Sequence, residues 1–213
     1  MAILKADRIA QLLRSAPKDA DPLMIRPTPN PDELERSGAA SVDLRLGTWF
    51  MSLRQARVAC LEASAEDQEA QLTKMHYVPF GKEYILHPRS FVLSVTLEWL
   101  RLPGNLAAYV TGKSSWGRRG LVIATATGVH PGFMGCLTLE LSNLGEIPVA
   151  ISPGIRICQL FIHNVDTSPR TEIDQTEFLA HRVPRLGHVR PDAMAIKLAG
   201  AKVASPQKGE QNA

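Results

Sequence analysis

Leu137, Leu139 and Leu141 alternate with Thr138, Glu140 and Ser142. That two-residue period predicts a strand with one face buried. Comparable runs predict strands near 41–46, 76–79, 91–99, 105–111, 121–125, 147–151 and 155–163 as well. A different period marks the start of the chain. Within residues 4–14, Ile9, Leu12 and Leu13 fall on one helical face, which predicts an amphipathic helix. Residues 16–40 carry Pro27, Pro29 and Pro31 at a spacing of two and read as extended and irregular. The segment 54–74 is rich in Ala, Glu and Gln, which suits a helix but fits no strand pattern around it. Many short strands with turn signals and little helix imply a mainly β barrel or sandwich.

Composition changes this picture little. A length of 213 residues with 45% hydrophobic residues suits one domain with extensions and an ample core. We read residues 1–199 as that domain. Residues 200–213, small, polar and turn-prone, read as a flexible tail. The formal net charge of +3 is too small and too scattered to argue for nucleic acid. No run of eighteen apolar residues predicts a membrane span, and no apolar core behind the N-terminus predicts a signal peptide. Cys60, Cys136 and Cys158 are far apart and odd in number, which points to free thiols in a reducing, cytoplasmic setting.

Two features carry chemistry. Glu140 sits on a strand among leucines, where partial desolvation would raise a carboxyl toward the range of a general acid or base. The same alternation also describes an ordinary solvated strand face. After the apolar run Leu106–Val110 comes Gly112-Lys113-Ser114-Ser115-Trp116-Gly117-Arg118-Arg119-Gly120. Its glycines, hydroxyls and cations suit an anion such as phosphate. It is not a Walker A loop, because Ala107 stands where that motif needs glycine. Zinc-dependent deamination needs a His-x-Glu and a Cys-x-x-Cys, and the three cysteines and six histidines form neither.

These residues, read together, resemble the dCTP deaminase branch of the dCTP deaminase/dUTPase superfamily. The matching text is Ser41-Val42-Asp43-Leu44-Arg45-Leu46-Gly47, Leu86-His87-Pro88, Lys113-Ser114-Ser115 with Arg118, Pro131-Gly132-Phe133, Leu139-Glu140-Leu141-Ser142-Asn143, and Pro153-Gly154 leading to Gln159-Leu160. It covers roughly residues 41–165. The resemblance implies a distorted jelly-roll-like β-barrel of the dUTPase type with an N-terminal helix, assembled as a homotrimer with sites shared between subunits. It implies a zinc-independent conversion of dCTP to dUTP and ammonia, with Mg²⁺ on the triphosphate. Glu140 would be the proton shuttle, helped by Ser114 and Arg118. Lys113, Ser115, Trp116 and Gly117 would hold phosphates, with Gln159. Ala126, Thr138 and Leu139 would contact the base, and His130 the sugar.

The chain departs from that pattern in two places. His130 stands where the family has an aspartate, and imidazole changes its charge near neutral pH. After Val165 there is no tyrosine to close over phosphates, only His181, Arg182, Arg185, His188, Arg190 and Lys197. Three readings therefore remain: a dCTP deaminase, a dUTPase or bifunctional deaminase–diphosphatase, and a catalytically silent nucleotide-binding relative.

Overall fold

A computed structural model describes residues 2–16, 21–54, 69–125, 128–166, 180–187 and 193–198. The strands are β1 (Met24–Arg26), β2 (Val42–Leu53), β3 (Thr73–Tyr77), β4 (Tyr84–Leu86), β5 (Phe91–Arg101), β6 (Leu106–Gly112), β7 (Leu121–Ile123), β8 (Gly128–Val129), β9 (Met134–Asn143), β10 (Val149–Ile151) and β11 (Arg156–Asn164). The helices are α1 (Ala6–Ser15), α2 (Pro31–Ser37), α3 (Glu69–Leu72), α4 (Ser114–Gly117) and α5 (Ala193–Leu198).

Nine strands form one antiparallel sheet in the order β7-β9-β5-β2-β11-β6-β8, with β1 added to β5 and β3 to β2. Strands β4 and β10 form a separate pair. Gly112, at the end of β6, lies against the Ile123 side chain of β7, so the two borders of the curled sheet approach each other. The architecture is the mainly β, barrel-like one expected. Its core includes Leu44, Leu46, Phe50, Leu139, Leu141, Leu160 and Ile162, all fully buried. Helix α1 lays Ile9 and Leu13 onto this core, with Leu12 partly buried beside them.

The stretch 16–40 corrects the sequence reading, because it contains α2. Asn30 caps this helix, its side chain accepting from the N–H groups of Asp32 and Glu33. Pro31 is pre-set for the first turn, and Gly38 ends the helix in the left-handed conformation. Arg14 of α1 then reaches Asp32 at 2.5 Å and Glu35 at 2.9 Å. Within 54–74, residues 55–68 lie outside the described set. The visible end is α3 followed by β3, which begins three residues before the expected strand. The tail 200–213 also lies outside the described residues.

Both β2 and β5 slip register, between Leu46 and Phe50 and between Val95 and Trp99. Gly47 sits in this irregularity, where a Cβ would stand 2.8 Å from the Val95 carbonyl oxygen. Thr96 satisfies the polar groups of the distorted stretch. Its hydroxyl donates to the Glu98 carbonyl at 2.8 Å and accepts from the Leu137 N–H at 2.9 Å.

Candidate active site

The predicted residues fall into two groups. The first surrounds the elbow between β6 and β7. Lys113 leaves β6 extended, its N–H donating to the Ile157 carbonyl at 3.1 Å, and α4 makes a single turn. Trp116 is half-buried against the core and donates through Nε1 to the Arg156 carbonyl at 3.0 Å, which fastens the elbow to β11. Gly120 closes the elbow at φ 85° with Gly145 so near that any side chain would collide. The side chains of Ser114, Ser115 and Arg118 are exposed and have no protein partner among the described residues. Arg119 instead donates to the Ser115 carbonyl at 2.6 Å. Gly117 is exposed beside them.

Behind the elbow lies a cavity of about 350 Å³, walled by β2, β11 and Lys113 just past β6 on one side and by α2 with its leading turn on the other. Lys113 and Gln159 line it, as do Ser41, Asp43, Arg45 and Arg156. The Lys113 ammonium is 2.6 Å from Asp43 Oδ1, and Arg156 Nη1 is 3.7 Å from Oδ2. The Ser41 hydroxyl donates to Gln159 Oε1 at 3.1 Å. Asparagine 30 and Glu33 complete the α2 side.

The second group lies on β9. Leu137, Leu139 and Leu141 are buried and Thr138, Glu140 and Ser142 half-buried, as the alternation predicts. Leu139 therefore has only its backbone to offer a ligand. The Glu140 N–H donates to the Thr125 hydroxyl at 3.0 Å, and its carbonyl accepts from the Ala124 N–H at 2.9 Å. Its carboxylate has no protein partner among the described residues. Leu93, almost fully buried, stands directly across the ladder, and Val95 stands across from Thr138. His130 is exposed where the β8–β9 turn begins, its carbonyl accepting from the Phe133 N–H at 3.2 Å. Ala126 lies outside the described residues.

No hydrogen bond or ion pair among the described residues joins Ser114 or Arg118 to Glu140, and Glu140 does not line the elbow cavity. Among the described residues, the elbow side chains and Glu140 therefore form two groups that share no hydrogen bond, ion pair or cavity. Of the tail residues, Arg182 borders a second cavity of about 440 Å³ with Arg26, Trp49, Trp99 and Cys136. The segment is held there by the Cys136 N–H donating to the His181 carbonyl at 3.0 Å.

Asp43, Arg45, Arg156 and Glu98 were not singled out as site residues from the sequence. Glu98 is wholly buried beneath the cavity, and burial pushes its carboxyl above the usual range against the opposing pull of Arg45. Burial also pushes the Cys158 thiol up to about 12. A thiol held that far from ionisation is an inert packing group. The available signal for Glu98 was a single charge inside the apolar run of β5; for Asp43 and Arg45 it was their shared face in the alternating Val42–Leu46.

Comparison with known proteins identifies the family and the fold. The family model described as dCTP deaminase-like matches residues 3–165. A dCTP deaminase of Natronomonas pharaonis is 46% identical over 143 residues, 67% of this chain and 72% of that one. A dUMP-forming dCTP deaminase of Methanobrevibacter smithii is 38% identical over 168 residues, 78% of this chain and 82% of the relative. The crystal structure of 2'-deoxycytidine 5'-triphosphate deaminase from Agrobacterium tumefaciens superposes with a TM-score of 0.56 at 22% identity. That alignment covers 75% of this chain and 46% of the other, and it speaks for the fold.

Proposed function

The chain belongs to the dCTP deaminase-like family, and from that premise we propose that it hydrolyses the C4 amino group of dCTP, with Glu140 as proton shuttle. The supporting observation is the half-buried Glu140 on β9, between Leu93 of β5 and Ala124–Thr125 just past β7, whose carboxylate has no partner among the described residues. A carboxylate with no internal competitor is free to engage a water and a pyrimidine ring. Glu140 takes a proton from the water and passes it to N3 as the water oxygen bonds to C4. It then moves the new hydroxyl's proton to the amino group. The C4–N bond breaks, ammonia leaves and a C4 carbonyl remains. Thr138 and the backbone of Leu139 border the ring, Ala126 borders its pocket, and His130 meets the sugar. No zinc takes part in this scheme.

The elbow takes the triphosphate, with Mg²⁺ arriving on the phosphates as part of the substrate. Ser114, Ser115 and Arg118 have donors without a partner among the described residues, and Lys113, Gln159 and Arg156 line the cavity behind them. That no hydrogen bond, ion pair or cavity among the described residues joins Ser114 or Arg118 to Glu140 supports a homotrimer in which these residues of one copy face Glu140 of the next. The free thiols of Cys136 and Cys158 suit the reducing cytoplasm.

Relatives of both names, dCTP deaminase and its dUMP-forming kind, resemble this chain. This favours a second reading in which the triphosphate is also cleaved. Incubation with dCTP and Mg²⁺ separates the readings: dUTP with ammonia marks the deaminase alone, and dUMP with pyrophosphate marks the coupled reaction. Glu140→Gln should lower ammonia release by about 10²–10⁴-fold while dCTP still binds. A variant that retains near-normal turnover overturns the role of Glu140.

A further inference from the structure

We propose that Arg45 is a further phosphate-binding residue of the elbow cavity and that Glu98, sealed behind it, is the positioning residue that aims it. Glu98 is completely buried, whereas the Arg45 side chain is 34% exposed and lines the cavity. Both carboxylate oxygens of Glu98 are committed to Arg45. Oε2 accepts from the Arg45 backbone N–H at 2.7 Å, and Oε1 accepts from Nη1 at 3.0 Å. The remaining guanidinium donors have no acceptor among the described residues.

The charges facing the cavity make this arrangement informative. Three cations line it, Lys113, Arg156 and Arg45. The first two lean on Asp43, which lies within the cavity wall. Glu33 is the other acid there; it is exposed on the α2 side, and its carboxylate accepts from the Asn30 side-chain amide at 3.5 Å. Arg45 alone draws its counter-charge from beneath the floor, so its outward donors stay free for a ligand. A buried ion pair is a poor source of stability, because desolvating two charges offsets most of their attraction. What it does supply is a fixed orientation. A guanidinium held by one edge presents its other edge as a planar fork suited to adjacent phosphate oxygens.

This inference rests on the elbow cavity being the polyphosphate site, and its test is independent of turnover. The probe is inorganic tripolyphosphate, titrated calorimetrically into the full-length protein and its variants. Arg45→Ala should weaken binding by about tenfold or more. Arg45→Lys should recover only part of it, since an ammonium cannot replace the fork. Glu98→Gln should weaken binding in the presence of Arg45 and add nothing in the Arg45→Ala background. With dCTP as substrate, each single variant should raise KM more than it lowers kcat. Deoxycytidine, which lacks phosphates, should compete equally well against all of them. Circular dichroism checks folding, and Arg45→Lys carries the test if Arg45→Ala does not fold. Unchanged tripolyphosphate affinity in a folded Arg45 variant overturns the proposal, as does a wild-type protein that does not bind tripolyphosphate. Equal losses from Glu98→Gln with and without Arg45 reduce Glu98 to a structural group and overturn its positioning role. Absence of dCTP turnover alongside Arg45-dependent tripolyphosphate binding would instead count against the deaminase reading alone.

Discussion

Glu98 illustrates how one side chain can tie stability to pH. Burial raises its carboxyl in the folded chain above the ordinary glutamate value, and the bonds from Arg45 only partly oppose that rise. Between the ordinary value and the raised one, the native chain holds a proton that the unfolded chain has released. Stability due to this group is therefore fully present below the window and falls as pH rises through it. Glu98→Gln keeps the shape and cannot titrate. Urea unfolding across a pH series should show wild type losing stability relative to Glu98→Gln as pH rises through the window. A difference that is flat, or that grows in favour of wild type, would show that Arg45 compensates the buried charge completely.

At the scale of elements, the paired slips in β2 and β5 set the position of both Arg45 and Glu98. Gly47 permits them, because β5 approaches so closely that the Val95 carbonyl and the Val95 side chain occupy the space of a Cβ. Gly47→Ala must push β2 away from β5 and should destabilise the protein by about 1–3 kcal/mol, the range for overpacked interiors. Denaturant midpoints at constant slope would measure this, and an unchanged midpoint would mean that the strands part freely. The slips also explain what could be read in advance. Strand β9 is regular, so its alternation correctly assigned Leu137, Leu139 and Leu141 to the core and Glu140 to the opposite face. Strand β5 is covered on both sides. Ser94, Thr96 and Glu98 are as buried as Val92, and no period marks a polar row as interior. Helix α2 did carry its signals, Asn30-Pro31 at the start and Gly38 at the end. The proline spacing before it pointed the other way. Strands β4 and β8, three and two residues long, are too short to show a period. The pairing of Asp43 with Lys113 and Arg156 joins three separate strands or their ends, and local pattern cannot reveal it.

At the scale of the whole molecule, Glu140 and the elbow side chains share no hydrogen bond, ion pair or cavity among the described residues of one chain. On the face that carries Glu140, Met51, Leu93 and Val95 are buried within the chain, while Met75, Phe91 and Val122 are exposed. Three exposed apolar side chains on the face of Glu140 would suit burial against a second copy. Cyclic symmetry would then give every site one Glu140 and one elbow from different chains. A trimer would have a mass of about 70 kDa, three times 23.3 kDa, by light scattering. The decisive measurement mixes two inactive proteins, Glu140→Gln and Arg118→Ala, by co-expression or joint refolding. If sites are shared, random assembly leaves about one quarter of them with both residues intact, and deamination should return to about that fraction of wild type. If each chain builds its own site, every site keeps one defect and the mixture stays as inactive as its parts. Recovery near one quarter would therefore place the reaction at the contact between copies, and none would return it to a single chain that closes on itself when nucleotide binds.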